Sequence, residues 1–208
     1  MTGTGALPGF YNDIDLSLAA IKSLLLGGAQ DRHAAAHHPV VASIGRDGRP
    51  RQRVMILRDF DWDQRLLRFH TDGRSEKVSE IQQAEWVSAL VYGELGKIQV
   101  RLSGRAWIDT GHIAEQAWQG SSRFARRCYM AEQAPGTDAD RPTSGLPEWI
   151  EGLQPLDEQL IPARENFAAL LICFDEIDFL YLANAGHRRA RWKWNGSSAN
   201  WSGRWLVP

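Results

Sequence analysis

The stretch PVVASIGRDGRPRQRVMILRD, residues 39–59, decides the class of fold that this chain adopts. Two runs with strand composition, 39–45 and 51–59, flank the polar tetrapeptide Arg-Asp-Gly-Arg at 46–49. An Asp-Gly pair between two such runs is a strong signal for a β-hairpin turn, because glycine tolerates the positive φ that this turn needs. We therefore expect residues 39–59 to form an antiparallel hairpin.

Further β-rich runs follow the hairpin, with only one short helical segment among them. The runs at 66–71, 86–92 and 97–108 have strand composition, and a turn at 93–96 separates the last two. Residues 75–83 carry apolar side chains at helical spacing and predict a short helix. About five consecutive strands with one short helix are typical of an antiparallel barrel.

Helical patterns lie on both sides of this β-rich region. Asp13 or Asp15 is placed to cap a helix whose apolar residues repeat at helical spacing until the Gly-Gly pair at 27–28. Residues 110–132 also have a helical pattern, and residues 134–155, rich in Pro, Gly, Thr and Asp, predict a long loop. The remaining strand-like runs lie at 167–174, 177–182, 188–194 and 201–207.

The composition limits the partners and the compartment that we expect. The 208 residues, with 43% hydrophobic content, suffice for one domain with one core. Lys and Arg number 24 against 25 Asp and Glu, so the net charge of -1 gives no bulk attraction to nucleic acid or to an anionic membrane. No apolar run approaches the roughly 18 residues of a membrane-spanning helix. The two cysteines, Cys128 and Cys173, predict free thiols and a reducing, cytoplasmic location.

The run 53–58, Arg-Val-Met-Ile-Leu-Arg, has a cation at each end of an apolar stretch. Side chains alternate between the two faces of a strand, so Arg53 shares a face with Met55 and Leu57 while Arg58 lies on the other face. The two arginines therefore have different tasks, or Arg53 alone is functional and Arg58 is a solvated strand end. A planar anionic ligand is the partner that such a strand favours.

A second cationic segment lies at 69–77, Phe-His-Thr-Asp-Gly-Arg-Ser-Glu-Lys. Thr71 ends a strand, and Ser75 begins a helix whose free N–H groups and dipole favour an anion. Lys77 in the first helical turn and Arg53 on a neighbouring strand add charge-assisted hydrogen bonds to a phosphate. The segment predicts a phosphate site, and a plain helix N-cap beside a surface lysine is the alternative interpretation.

The run 98–108 alternates between polar and apolar residues, as a half-buried strand does. Gln99 lies on its polar face together with Arg101, Ser103 and Arg105. If that face lines a pocket, the amide of Gln99 can both donate to and accept from a ring that carries carbonyl and imino groups.

Four motifs in a fixed order carry a family resemblance: RVMILR at 53–58, FHTDGRSEK at 69–77, AEWVSALVY at 84–92 and IQVRLSG at 98–104. Together they resemble the FMN-binding core of the pyridoxamine 5'-phosphate oxidase-related proteins. The resemblance covers about half of the chain well. It extends loosely to the tail, where IDFLYL at 177–182, RARW at 189–192 and RWLVP at 204–208 are similar to the family's closing strands.

The resemblance implies a mainly β fold with peripheral helices: a six-stranded antiparallel split β-barrel of the FMN-binding type. It implies a homodimer with FMN at the subunit interface. Residues 1–208 would then form one domain, with a core at 39–109, a helical and loop insertion at 110–165 and C-terminal strands at 166–208.

The resemblance also implies roles for individual residues. Arg53 and Lys77 would bind the FMN phosphate, with Thr71 and Ser75 as hydroxyl partners. The backbone of Val54, Met55, Ile56 and Leu57 would run along the isoalloxazine ring, beside His70. Gln99 and Arg191 would contact the ring, Arg58 would face both flavin and substrate, and His187 and Arg189 would stand at the substrate.

Several positions depart from the family pattern. Glu76 stands where a second cation is common, and a carboxylate near a phosphate weakens its binding unless it points away. His70 replaces an aromatic residue, and Leu180 replaces a tryptophan. The Arg-x-His pair that binds the vitamin substrate is represented by residues 187–189, His-Arg-Arg, with shifted spacing. These changes argue against oxidation of pyridoxamine 5'-phosphate itself.

These observations favour an FMN-dependent oxidoreductase that acts on an unassigned small molecule, with no catalytic acid or base identified by spacing. The alternatives are a flavin-binding protein without catalysis, a true pyridoxamine 5'-phosphate oxidase, and a barrel that binds haem or a deazaflavin instead. The basic and aromatic run at 187–194 favours a ligand rim or a solvated surface over nucleic acid. His37 and His38 lack further ligands at metal spacing, so no metal site is expected.

Overall fold

The structure is a computed structural model that describes residues 6–93 and 96–208, and within these residues nine strands form one sheet. The strands are β1 (Val40–Ile44), β2 (Pro50–Val54), β3 (Leu57–Asp61), β4 (Leu66–Asp72), β5 (Trp86–Gly93), β6 (Ile98–Asp109), β7 (Phe167–Tyr181), β8 (Arg188–Asn195) and β9 (Asn200–Leu206). The helices are α1 (Ile14–Gln30), α2 (Glu76–Gln83), α3 (His112–Gln119) and α4 (Arg123–Arg127). Short 3-10 segments lie at Gly9–Asn12, Ala35–His37, Cys128–Met130 and Glu158–Asn166. The turn expected at 93–96 includes Glu94 and Leu95, which lie outside the described residues.

The order of the strands shows how the sheet curls. The hydrogen-bonded path runs β2-β1-β5-β6-β7-β4-β3, and only Met55 and Ile56 separate its two end strands in the chain. Three peptide steps reach at most about 11 Å, so the ends of the path lie side by side and the sheet wraps around the core. Within the described residues no ladder joins β2 to β3, so the barrel stays open at this seam. The expected antiparallel split-barrel class is confirmed.

Two strand boundaries differ from the sequence-based expectation. The expected hairpin arm at 51–59 is two strands, β2 and β3, because the chain crosses the open seam at Met55 and Ile56. The hairpin between β1 and β2 itself is confirmed. The sheet also has nine strands where six were expected, because the crossing at 55–56 divides one arm into two strands and the β8–β9 hairpin adds two more beside β7.

Strand β7 pairs with three other strands of the sheet. The runs expected as two strands, 167–174 and 177–182, are fused in it. Strand β6 pairs along one edge of β7, while β4 and then β8 pair along the other. The polar pair at 175–176 does not end the strand, because Asp175 is the extra residue of a β-bulge in β7, opposite the step from Ser103 to Gly104.

Helix α1 covers the core on the concave side of the sheet. Asp13 is its N-cap, and its carboxylate accepts from the backbone N–H groups of Asp15 and Leu16 at 3.0 and 2.9 Å. The helix does not end at the Gly-Gly pair as expected but continues to Gln30. Gly28 lies so near Ala36 that a Cβ would stand 2.6 Å from its backbone, so glycine serves close packing here.

The segment between β6 and β7 packs on the outer side of the sheet. The expected helix at 110–132 is divided into α3 and α4, because Ser122 begins a new helix and its hydroxyl accepts from the N–H of Ala125. Residues 134–155 contain no helix or strand, which confirms the expected loop. Within the described part of the chain, no helix is long and apolar enough to cross a membrane.

Candidate functional site

A lysine and two buried hydroxyl groups meet where β4 ends and α2 begins. The ammonium of Lys77 donates to the hydroxyls of Thr71 at 3.2 Å and Ser75 at 3.0 Å. Thr71 is 4% exposed and Ser75 is 5% exposed. Ser75 is the N-cap of α2, but its hydroxyl donates to the carbonyl of Asp72 and does not cap the helix. The N–H groups of the first turn therefore have no side-chain cap and remain suited to bind an anion. We call these three residues the Lys77 cluster.

Arg53 reaches the same region from β2 and is held by a buried acid. Its guanidinium donates to a carboxylate oxygen of Glu80 at 2.8 Å and also to the hydroxyl of Ser43. Glu80 is only 3% exposed and accepts from Ser43 as well. Burial and the positive charge of Arg53 lower the pKa of Lys77. The two cations are therefore close enough to interact, as one shared anion would require.

The carboxylate that contacts this site belongs to Glu80, whereas the sequence pointed to Glu76. Glu76 is exposed, whereas Glu80 lies one helical turn further and contacts Arg53 directly. Sequence reasoning missed Glu80, although its position three residues after Lys77 places both on one helix face. Arg53 is thus oriented before any ligand arrives.

The structure confirms which side chains of residues 53–58 share a face of the sheet. Met55 and Leu57 point into the core, at 7% and 1% exposed. Val54 is 62% exposed, Ile56 is 37% exposed, and Arg58 is exposed with them. The alternation of inward and outward side chains continues from β2 into β3, so Arg53 and Arg58 lie on opposite sides of the sheet.

Arg58 lines a cavity of about 380 Å³ between the outer face of β3 and β4 and the helices α3 and α4. We call it the Arg58 cavity. Burial, then the charges of Arg58 and Arg68, lower the pKa of His70 to about 4, so its ring is neutral at pH 7. Within the described residues, the buried Nε2 of His70 and Nε of Arg68 have no hydrogen-bond partner. The cavity's polar lining consists of Arg58, Arg68, His70, Gln116, Ser121 and Ser122.

Sequence reasoning missed Arg68 and Gln116 as part of this lining. Arg68 lies two positions before His70 and therefore shares its strand face, which is a signal that could have placed it there. Gln116 comes from α3, and no pattern within its own helix points to a cavity formed with β4.

The remaining candidate residues do not join the Lys77 cluster. Gln99 is half-buried on the outer face and pairs with exposed Tyr92 on β5, whereas Arg53 is in register with buried Val41. The sheet therefore separates Gln99 from Arg53 within one chain. The arginines Arg189 and Arg191 also lie on the outer face, where both contact Asp178.

His187 does not lie with Arg189. It is exposed and lines a different cavity, of about 530 Å³, with Arg188 and the last four residues of the chain. The structure thus does not bring together the pair that the family pattern places at the substrate.

The fold and the geometry together define a class of protein. It is an open antiparallel barrel in which a lysine, an arginine and two hydroxyl groups at the start of a helix can bind an anion. Residues 19–110 match the family model described as pyridoxamine 5'-phosphate oxidase, FMN-binding domain. Residues 19–110 therefore form the FMN-binding domain of the pyridoxamine 5'-phosphate oxidase-related family, and the split-barrel fold extends over the rest of the chain.

Two relatives show how far this similarity extends in sequence. Pyridoxine/pyridoxamine 5'-phosphate oxidase 2 of Arabidopsis thaliana is 28% identical over 178 residues, which are 79% of this chain and 84% of that protein. The pyridoxine/pyridoxamine 5'-phosphate oxidase of Myxococcus xanthus is 36% identical over 84 residues, which are 40% of each chain.

Two solved structures share the fold over nearly the whole chain. A pyridoxamine 5'-phosphate oxidase-related, FMN-binding protein of Nostoc punctiforme is 23% identical with a TM-score of 0.71, and the match covers 98% of this chain and all of that one. PhzG of Burkholderia lata, solved in complex with tetrahydrophenazine-1-carboxylic acid, is 21% identical with a TM-score of 0.70, and the match covers 99% of each chain.

FMN is the cofactor of this family, and the residues present fit it. Its phosphate needs a concentration of donors, which the ammonium of Lys77, the guanidinium of Arg53, two hydroxyls and the uncapped start of α2 supply. The exposed apolar side chains of Val54 and Ile56 offer a surface for a planar ring nearby.

Proposed function

We propose that this chain is an FMN-dependent oxidoreductase that acts as a homodimer on a small anionic substrate. The observation that carries the proposal is the Arg58 cavity, which opens beside the same backbone segment that the ring of FMN would follow. A protein that only stored flavin would need the phosphate site but no second cavity with its own cations.

The cofactor would be held at both of its ends. The Lys77 cluster and Arg53 would bind the phosphate, and the backbone from Val54 to Leu57 would support the ring. FMN supplies the electron transfer itself when it is bound, and the protein supplies binding and orientation.

The substrate would be oriented by the cations of the Arg58 cavity. Arg58 and Arg68 suit a carboxylate or a phosphate, because a guanidinium can donate two parallel hydrogen bonds to either group. His70 would act there as a neutral hydrogen-bonding group, since its lowered pKa keeps it uncharged.

Turnover with two named probes tests the function. The probes are tetrahydrophenazine-1-carboxylic acid, the ligand in the structure of PhzG, and pyridoxamine 5'-phosphate, the substrate in the names of the curated relatives. We expect oxygen-dependent oxidation of the carboxylic acid, with a KM that Arg58→Met raises at least about tenfold because a charged hydrogen-bond partner is lost. Arg49→Met is the matched control, because the Arg49 side chain is 82% exposed in the hairpin turn.

Each outcome of this assay has a clear meaning. Faster turnover of pyridoxamine 5'-phosphate would identify a true oxidase of that vitamer. Absence of both oxygen consumption and flavin reduction with either probe would refute the enzyme and favour a flavin-binding protein without catalysis.

The homodimer is supported by the separation of Arg53 from Gln99 and Arg191 on the two sides of the sheet. One flavin can meet both sets only if the second set is contributed by another copy: the partner's Gln99 and the partner's Arg191. The exposed apolar side chains of Val54 and Ile56 mark the outer face as the surface where the copies meet.

A charge at Val54 tests the dimer. Because Val54 is 62% exposed in the single chain, Val54→Asp is expected to leave the fold intact while it converts a dimer to a monomer and weakens FMN retention. Light scattering coupled to size exclusion measures the mass. Ile161→Asp, at a residue that is 70% exposed on a different surface, should change neither property. A Val54→Asp protein that stays dimeric and keeps its FMN would contradict the proposal.

A further inference from the structure

A buried carboxylate on β7 gathers three arginines on the outer face of the sheet. Asp178 accepts hydrogen bonds from Arg101 at 3.1 Å, from Arg189 at 3.1 and 3.0 Å and from Arg191 at 3.3 Å. Arg101 comes from β6 on one side, and the other two come from β8 on the other side. Asp178 is only 3% exposed, whereas the three arginine side chains remain 27 to 43% exposed. We call these four residues the Asp178 cluster.

The cluster has more positive charge than its fold requires. One carboxylate balances one of the three guanidinium groups, so two positive charges remain at a partly open surface. Glu176, the next acid on this face, lies 3.6 Å from the Nε of Arg191 and 3.4 Å from the ammonium of Lys193. A purely structural ion pair would need only one arginine beside Asp178.

Asp178 and Arg189 both remain charged near neutral pH. Burial raises the pKa of Asp178, but the hydrogen bonds from Arg189 and Arg191 and the charge of Arg101 outweigh it and hold this pKa below its usual value. The hydrogen bond to Asp178 raises the pKa of Arg189 further above its already high value. The cluster is therefore a fixed arrangement of charges.

Asp178 leaves several of the hydrogen-bond donors of these arginines unused. A guanidinium has five N–H groups, and the contacts to Asp178 occupy two of them in Arg189 and one in Arg191. In the described part of the chain, the Nε of Arg191 is buried without a hydrogen bond, 3.6 Å from the carboxylate of Glu176. Arginine loses considerable side-chain entropy when it is ordered, so a fixed carboxylate that orders it beforehand strengthens each later contact.

We propose that Asp178 is the positioning residue that fixes Arg191 for the flavin ring and Arg189 for the substrate. The proposal rests on the proposed function, which places Arg191 at the composite site, and on the family resemblance, which implies Arg189 at the substrate. Asp178 itself touches neither ligand, and it acts through the geometry of the two guanidinium groups.

A double-mutant cycle on FMN affinity tests this role in the full chain. We expect Asp178→Asn to raise the FMN dissociation constant about tenfold, because Asn cannot hold three donors in one geometry. In an Arg191→Met background the same change should alter the dissociation constant less than about twofold, since its effect passes through Arg191. Asp175→Asn is the matched control, because Asp175 is an exposed acid on the same strand and is not among the residues that contact Arg191; its expected change is below about twofold.

A more conservative variant, Asp178→Glu, tests the same role if the Asp178→Asn protein does not fold. Asp178→Glu keeps the charge but displaces the carboxylate by one methylene. We expect it to weaken FMN binding several-fold with little change in the melting temperature, whereas a role in charge balance alone predicts wild-type affinity.

Two results would overturn the inference. One is independent, multiplying effects of the Asp178 and Arg191 substitutions, and the other is equal FMN affinity in Asp178→Asn and Asp175→Asn. Failure of the proposed function is distinguishable from both, because a wild-type protein that binds FMN without turnover still reports these affinities.

Discussion

Lys77→Met is expected to lower the affinity of the chain for FMN by roughly 10- to 100-fold. The loss of a hydrogen bond to a charged group costs about 1.5 to 3 kcal/mol, and each 1.4 kcal/mol changes an equilibrium constant about tenfold. Thr71 and Ser75 already hold the ammonium in place, so the wild-type chain loses little entropy when the phosphate binds. Titration of the apoprotein with FMN, followed by flavin fluorescence, measures the change.

Arg53→Met tests the second cation but needs a matched partner substitution. Removal of the guanidinium alone leaves Glu80 buried without its ion pair, which costs about 3 to 5 kcal/mol of stability. We therefore expect the double variant Arg53→Met with Glu80→Gln to recover much of the stability while its FMN affinity stays low.

Glu76→Gln is the control for both variants, because Glu76 is exposed on the same helix. Its FMN affinity should stay within about twofold of wild type. Wild-type affinity in both Lys77→Met and the Arg53 and Glu80 double variant would remove the phosphate assignment.

Gly104→Ala is expected to destabilise the fold by about 3 kcal/mol or more. A Cβ at Gly104 would overlap the carbonyl oxygen of Cys173 and come within 2.5 Å of the Cα of Phe174. Both neighbours are backbone of β7, which cannot move without breaking the ladder that runs along β6. The free energy of unfolding from urea titration measures the effect.

Gly196→Ala separates this steric effect from the general effect of replacing glycine. Gly196 lies between β8 and β9, and a Cβ there would meet nothing within 4 Å. Its free energy of unfolding should stay within about 0.5 kcal/mol of wild type. Equal stability of the two variants would contradict the close contact of Gly104 with β7 and the register of β6 on β7.

Local patterns predicted much of this fold. The Asp-Gly turn, the alternation around Met55 and the cap at Asp13 depend on neighbours within a few residues, so the chain's own sequence defines them. The phosphate segment at 69–77 was also recognisable, because a threonine, a serine and a lysine at a helix start have a direct chemical meaning.

Long-range contacts account for what the sequence did not reveal. Met55 and Ile56 show no break signal, and only closure of the sheet around the core makes them a crossing between its two ends. Glu80 becomes an ion-pair partner because α2 packs beside β1, whose neighbouring strand β2 carries Arg53. Asp178 contacts Arg101 across a separation of 77 residues. Composition and periodicity do not encode such pairings.

A crystal structure of the FMN complex tests the phosphate site most directly. We expect the phosphate oxygens within hydrogen-bond distance of the ammonium of Lys77 and the hydroxyls of Thr71 and Ser75, with Arg53 beside them. A phosphate bound instead among Arg58 and Arg68, on the outer side of the sheet, would contradict this assignment.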